Sequence, residues 1–149
     1  MTDSKAKGAR AESQAVELLT KYTGEAWRRT PFSGALDAVH GLKGDVYIPG
    51  KINKYCVEIK HYADDQLTSR VLSGTSPILF EWWEQATTQA YNTNKEPLLM
   101  FKHDRSKWFA ATLQKPLKVD KYVFISTNDH NLYITLAEDL LEKEKLTFI

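Results

Sequence analysis

Asp45, followed 13 positions later by Glu58 and then Lys60 within the run Val57-Glu58-Ile59-Lys60, is the set of residues whose types and spacing support chemistry. Tyr55-Cys56-Val57-Glu58-Ile59-Lys60 reads as a strand. In a strand, residues i and i+2 share a face, so Glu58 and Lys60 project together while Val57 and Ile59 pack behind them. Gly44-Asp45-Val46-Tyr47-Ile48 reads as a second short strand, and Pro49 to Lys54 carries the turn residues that fold one strand onto the other. That hairpin sets Asp45 alongside Glu58. Two carboxylates can hold a hard divalent cation such as Mg²⁺, which keeps several waters and leaves positions for a phosphate oxygen and an attacking water. Lys60 then orients the water or offsets charge building on the phosphate. The chemistry is metal-assisted phosphodiester hydrolysis. An acid-x-lysine triplet is also common on ordinary exposed strands, so the spacing has to be supported by other elements.

The N-terminal region supplies them. Lys7 to Leu19 reads as an amphipathic helix, with Ala11, Ala15, Leu18 and Leu19 at helical spacing and an end before Thr23-Gly24. Glu12 lies on its first turns. Trp27-Arg28-Arg29-Thr30-Pro31-Phe32-Ser33-Gly34 is an extended segment leading into a loop, and the Asp45 strand follows.

This order of parts resembles the archaeal-type Holliday junction resolvases of the PD-(D/E)xK nuclease superfamily: glycine then glutamate on a first helix, arginines before a Ser-Gly loop, Gly-Asp on a strand and Glu-x-Lys on the next. The resemblance covers roughly the first sixty residues and fades after them, as happens where the site is local and the remainder drifts. It implies that Asp45 and Glu58 are the metal carboxylates, that Glu12 helps hold the metal or its water, and that Lys60 is the catalytic lysine. Ser33 matches the family's loop serine near the site. Arg28 and Arg29 match its basic stretch and are candidates for holding DNA phosphates, with Arg10 added from the first helix. In two places the chain departs from the pattern. Gly44 stands where the superfamily name has a proline, and Ser13 follows Glu12 where the resolvases often have an arginine.

Composition bounds the rest. The chain has 149 residues with 42% apolar content and no run long enough to span a bilayer, which fits a single nuclease domain over residues 1–149. The polar N-terminus carries no signal-peptide pattern, and the lone Cys56 has no intramolecular disulfide partner, so a reducing cytoplasm is expected: the nucleoid, or the host cytoplasm for a viral protein. Cys56 itself reads as packing. The net charge of +1 is low for a polyanion binder. Lys5, Lys7, Arg10, Arg28, Arg29, Lys60 and His61 nevertheless cluster near the proposed site in sequence, whereas Glu138, Asp139, Glu142 and Glu144 lie far from it, so a basic face with an acidic back is expected.

Beyond the site strand, residues 63–77 read as a mobile loop able to contact DNA, since Ser73-Gly74-Thr75-Ser76-Pro77 is rich in turn residues. Ile78 to Asn92 reads as a helix in which Gln85 and Gln89 are second-tier site candidates, because related nucleases often present a glutamine there. Trp82 and Trp83 are adjacent and so are not expected to face one core together; one should lie at an interface or against DNA. Pro97 to Lys102 and Trp108 to Leu113 read as a hairpin about the turn His103 to Lys107. Lys121 to Ser126 reads as a further strand, and Thr135 to Lys143 as a closing helix. His103-Asp104 and Asp129-His130 read as turn residues. No internal repeat, zinc-type spacing or glycine-rich phosphate loop is present.

The sequence therefore leads us to expect an α/β fold, a restriction-endonuclease-like core with a mixed central sheet flanked by helices. The resemblance implies a Mg²⁺-dependent endonuclease, with Mn²⁺ as a substitute, that acts as a homodimeric Holliday junction resolvase nicking symmetric strands of four-way junctions, away from membranes. Its rivals are another nuclease of the superfamily, cutting duplex ends, mismatches, flaps or specific sites, and a non-catalytic nucleic-acid-binding protein of the same fold.

Overall fold

The structure is a computed structural model that describes residues 4–31, 44–73 and 77–149. Among them, α1 (Ser4–Thr23) is followed by β1 (Arg28–Arg29), β2 (Val46–Tyr47) and β3 (Tyr55–Tyr62). A 3-10 turn (Ser69–Val71) precedes α2 (Ile78–Asn92). β4 (Glu96–His103), β5 (Phe109–Thr112), β6 (Val123–Ser126) and β7 (Asn131–Leu136) come next, then a short α3 (Ala137–Asp139) running into a π-helical turn (Leu140–Glu144). The strands form one mixed sheet in the order β1-β2-β3-β4-β5-β7-β6. β3 and β4 are its parallel pair, and the remaining pairs are antiparallel. Helices cover both faces, and no described helix is long and apolar enough to cross a membrane.

The two faces of β3 carry different cores. Val57 and Ile59 sit beside Leu98 and Met100 of β4 and pack under Ala11, Ala15 and Leu19 of α1. On the other face Leu99 and Phe101 pack with Leu79, Trp82, Trp83 and Ala86 of α2. A parallel pair is buried on both sides because its crossover helix must lie over a face. Glu58, whose neighbour in β4 is Leu99, is thereby carried into the interior, where it is only 1% exposed.

Several elements fall where the sequence puts them, and others do not. α2 has the expected bounds, and the Asp45 and Glu58 strands do form an antiparallel hairpin, with Val46 opposite Val57. α1 is longer than the pattern indicated. It ends where Gly24 adopts φ +76° and the Thr23 hydroxyl donates to Leu19 C=O at 2.7 Å while accepting from Trp27 Nε1 at 2.9 Å. Trp82 and Trp83 are both buried, 7% and 2% exposed, contrary to the expectation that one would be free. The apolar stripe of α2 is wide enough to take two positions 100° apart, and Tyr62 and Phe101 close around Trp82. The expected helix from Thr135 is corrected at its start: Asn131–Leu136 is a strand held between β5 and β6, and helix begins only at Ala137. Pairing on two sides outweighs the helical spacing of the leucines there.

One buried polar side chain fixes the hairpin that carries Asp45. Asn53 accepts from Ile48 N–H at 2.7 Å and donates to Ile48 C=O at 2.9 Å and Lys51 C=O at 3.0 Å, so its amide replaces a strand partner just beyond β2. Removing it strands a buried donor and acceptor, a loss of about 2 to 3 kcal/mol. Asn53→Ala should therefore lower the unfolding free energy from urea titration by that amount, with the midpoint falling in proportion; an unchanged midpoint would mean that water serves the turn equally well.

Candidate active site

Asp45 reaches the site from the residue before β2. Its N–H donates to Val57 C=O at 2.7 Å, and its C=O accepts from Thr30 N–H at 2.9 Å, so the backbone is held from both sides. Its carboxylate Oδ2 then accepts from Ile59 N–H at 2.7 Å, which ties it across β3. The hairpin closes tightly here. Gly44 has φ +92°, and a Cβ on it would lie 2.7 Å from Val57 O and 2.9 Å from Val57 N. Proline, whose ring fixes φ near about −65°, cannot take that conformation, which is why glycine stands where the superfamily name has a proline.

Glu58 lies against Asp45, and the two carboxyls set each other's protonation. Burial pushes Glu58 up to about 8, and the negative charges of Asp45 and Glu12 add to the effect, while Lys60 opposes it. Asp45 is also raised, chiefly by burial, with its bond from Ile59 N–H acting the other way. Glu58 is the proton-bearing member of the pair. Lys60, two residues along and half-buried, shares the Glu58 face by alternation and brings a positive charge to both acids.

Glu12 belongs to the same electrostatic group. It projects from α1, and Arg29 Nε donates to its Oε1 at 3.0 Å across β1. Arg29 is therefore engaged with an acid, whereas Arg28, the preceding residue of the strand, is exposed and points to the opposite face. Arg10 is exposed on α1. Gln85 is exposed and Gln89 half-buried on α2, and neither hydrogen-bonds to Asp45, Glu58 or Lys60 among the described residues. Ser33 lies outside the described residues.

Sequence reasoning did not single out Asn53 or the triad at the far end of β3. There His61 Nε2 donates to Asp104 Oδ1 at 2.8 Å, and Lys7 Nζ approaches the same oxygen at 3.4 Å. Asp104 thus ties the first turns of α1 to the strand that bears Lys60. Its position in a turn signalled only loop chemistry, since nothing local in sequence points to a partner 97 residues away.

The donor set suits a hard divalent ion. Among the described residues no three His, Cys, Asp or Glu side chains converge as a ready-made metal cluster. A Mg²⁺-type ion needs only one or two carboxylates and keeps its waters. A buried acid pair in which Glu58 stays raised to about 8 even with Lys60 beside it is an arrangement that such a cation relieves.

Residues 3–146 match the model of the family described as "Phage putative PDDEXK endonuclease". Protein D14 of Escherichia phage T5 is 37% identical over 147 residues, covering 93% of this chain and 92% of that protein. The solved structure of Hjc, a Holliday junction resolvase of Archaeoglobus fulgidus, is similar with a TM-score of 0.44 and 16% identity, over 88% of this chain and 84% of that one.

The acid pair has a consequence for stability. Because Glu58 is raised from 4.5 to about 8 in the folded protein, the fold binds more protons than the unfolded chain between those values. Its contribution is full at low pH and is lost as pH rises through about 8. Metal-free protein should unfold at lower urea at high pH than near neutrality, by a few kcal/mol at most, and Glu58→Gln should flatten the difference. A profile with the same slope in the variant would place the pH dependence elsewhere.

Proposed function

The chain belongs to the phage PD-(D/E)xK endonuclease family, and from that premise we propose that it is a divalent-metal-dependent DNA endonuclease selective for branched DNA, a junction resolvase acting as a homodimer. The observation that carries the hydrolytic part is Asp45, pinned by Ile59 N–H against the buried Glu58 with Lys60 on the same face. Mg²⁺ held by Asp45 and Glu58, with Mn²⁺ as a substitute, would supply Lewis-acid polarisation of the phosphate and a water of lowered pKa.

The protein's own groups divide the remaining work. For both carboxylates to hold the ion, Glu58 would give up its proton to solvent. Lys60 donates to the attacking water or to the phosphate oxygen that gains charge. Glu12, kept in place by Arg29, adds negative charge at the rim and can hold a water of the ion. Gly8 lies one turn before Glu12, and a Cβ on it would meet nothing within 4 Å, so the helix surface there allows a sugar-phosphate backbone to come close. Arg28 and Arg10 are exposed and serve as phosphate contacts. The junction preference rests on the order of motifs from Gly8 to Lys60, and shape selection is consistent with phosphate contacts that set orientation without reading base edges.

Cleavage of a labelled four-way junction, compared with a linear duplex of matched sequence in Mg²⁺ and in Ca²⁺, tests this reading. The junction should be nicked in Mg²⁺ in preference to the duplex; equal or preferred duplex cutting would leave a general endonuclease. Asp45→Asn and Glu58→Gln keep shape but remove charge. Each should lower turnover at least about a hundredfold while DNA binding measured in Ca²⁺ persists, and near-normal cleavage by either would remove that residue from the site.

The two arginines should separate in a salt titration. Arg28→Ala should reduce the slope of log affinity against log salt by about one unit. Arg29→Ala should change it less, since its charge is already shared with Glu12. Identical slopes for the wild type and Arg28→Ala would assign Arg28 to the solvated surface.

A further inference from the structure

Beyond the acid pair, β3 runs on to a cavity. Glu58, Lys60 and Tyr62 alternate onto one face of the strand, so Tyr62 stands two residues, about 7 Å, past Lys60. It lines a cavity of about 530 Å³ between the end of β3 and the start of α2, with Asp64, Asp65, Gln66, Arg70 and Glu81 among the other lining residues. Pockets of about 300 to 1,000 Å³ are those that take small organic groups. Tyr62 is 45% exposed, and its ring is braced against the buried Trp82 in a T-shaped contact, with centroids 6.3 Å apart and planes at 72°. The segment that forms another wall is held by its own bonds before any ligand arrives. Asp65 Oδ1 accepts from Leu67 N–H at 2.9 Å, and Gln66 Nε2 donates to Asp64 C=O at 3.1 Å.

We propose that this cavity receives one unstacked nucleobase of the DNA, from a nucleotide flanking the scissile phosphate, with Tyr62 as the surface on which it stacks. The charges decide which part of a nucleotide enters. Asp64, Asp65 and Glu81 outnumber Arg70, so a phosphate is repelled and stays on the Lys60 side. A base is neutral, and its edge carries N–H donors that those carboxylates accept. The aromatic wall supplies the attraction, because every base has a face to stack. That face must be open. Within a continuous duplex the neighbouring bases cover it, and baring it costs unstacking and unpairing; where stacking is already broken, as at a branch point, the cost is least. The cavity thus separates branched from linear DNA with little regard to sequence, and Tyr62 is a specificity-determining residue beside Lys60.

This inference rests on the nuclease reading above and names the feature of the substrate that its site takes. The nick made by the wild type in Mg²⁺ is mapped first, and affinities for a four-way junction and for linear duplex are then measured in Ca²⁺. Tyr62→Ala should weaken junction binding about tenfold and leave duplex binding unchanged, while Tyr62→Phe, which keeps the ring, should bind as the wild type does. The salt dependence of junction binding should be the same in Tyr62→Ala, since no phosphate contact is lost. An abasic site placed in turn on each side of the nick should, at one of the two positions, cost the wild type the same factor, and Tyr62→Ala should lose nothing further there. The abasic measurement on the wild type decides the matter even where Tyr62→Ala fails to fold. A wild type that nicks DNA without preferring the junction, an unchanged junction-to-duplex ratio in Tyr62→Ala, or abasic sites without effect overturns the role of the cavity and leaves the nuclease reading standing. A wild type that cuts no DNA in Mg²⁺ overturns both.

Discussion

The constraint on which the site depends is the burial of a carboxyl inside the sheet. Glu58 is placed there by the parallel pairing of β3 with β4, which puts helices over both faces and leaves no solvated side for a charged residue. A lone buried carboxylate would cost several kcal/mol, and the protein meets this by keeping the group protonated against Asp45 and by setting Lys60 beside it. The resulting pair is poorly satisfied without a cation and well satisfied with one. On the proposed metal-dependent reading, stability forgone in the metal-free fold would be available as affinity for the ion.

Asp45 must meet this buried acid at a fixed distance, and most of the irregular backbone near it serves that end. Gly44 allows a close approach to Val57 that no residue with a Cβ tolerates. Asn53 substitutes for a missing strand partner at Ile48, so a β2 of only two residues holds its register. Ile59 N–H then fixes the carboxylate itself. The strand is too short to be positioned by ladder bonds alone, and side-chain and turn bonds complete what the ladder lacks.

The parts of this arrangement that were legible in sequence are those with local periodicity. Alternation in Tyr55 to Lys60 gave the shared face of Glu58 and Lys60, and the turn residues of Pro49 to Lys54 gave the hairpin. What alternation could not show is that both faces of β3 are covered, because burial of Glu58 is decided by Leu99 and by α2, which lie far along the chain. The same limit explains the tryptophans. Helical spacing says that Trp82 and Trp83 differ by 100° but not how wide the groove that receives them is. At Thr135 the leucine spacing favoured helix, yet β5 and β6 flank the segment and make it a strand. Arg29 and Glu12 are each candidates that the sequence alone offers. Their ion pair is not legible there, since it joins a helix to a strand.

The pairing of charges around the site bears on how so nearly neutral a chain can handle a polyanion. Lys7 and His61 share Asp104, and Arg29 shares Glu12, so three of the basic groups near the site already have an acid beside them. A phosphate entering here replaces one anion with another and does not meet bare cations. Such an exchange weakens nonspecific retention, because fewer counterions are released per contact, while each arginine and lysine stays oriented by its acid before DNA arrives. Low net charge therefore fits a nuclease that recognises its substrate through a few placed contacts and must leave the product. On the proposed reading Arg28, exposed and without an acid partner among the described residues, would carry correspondingly more of the long-range attraction.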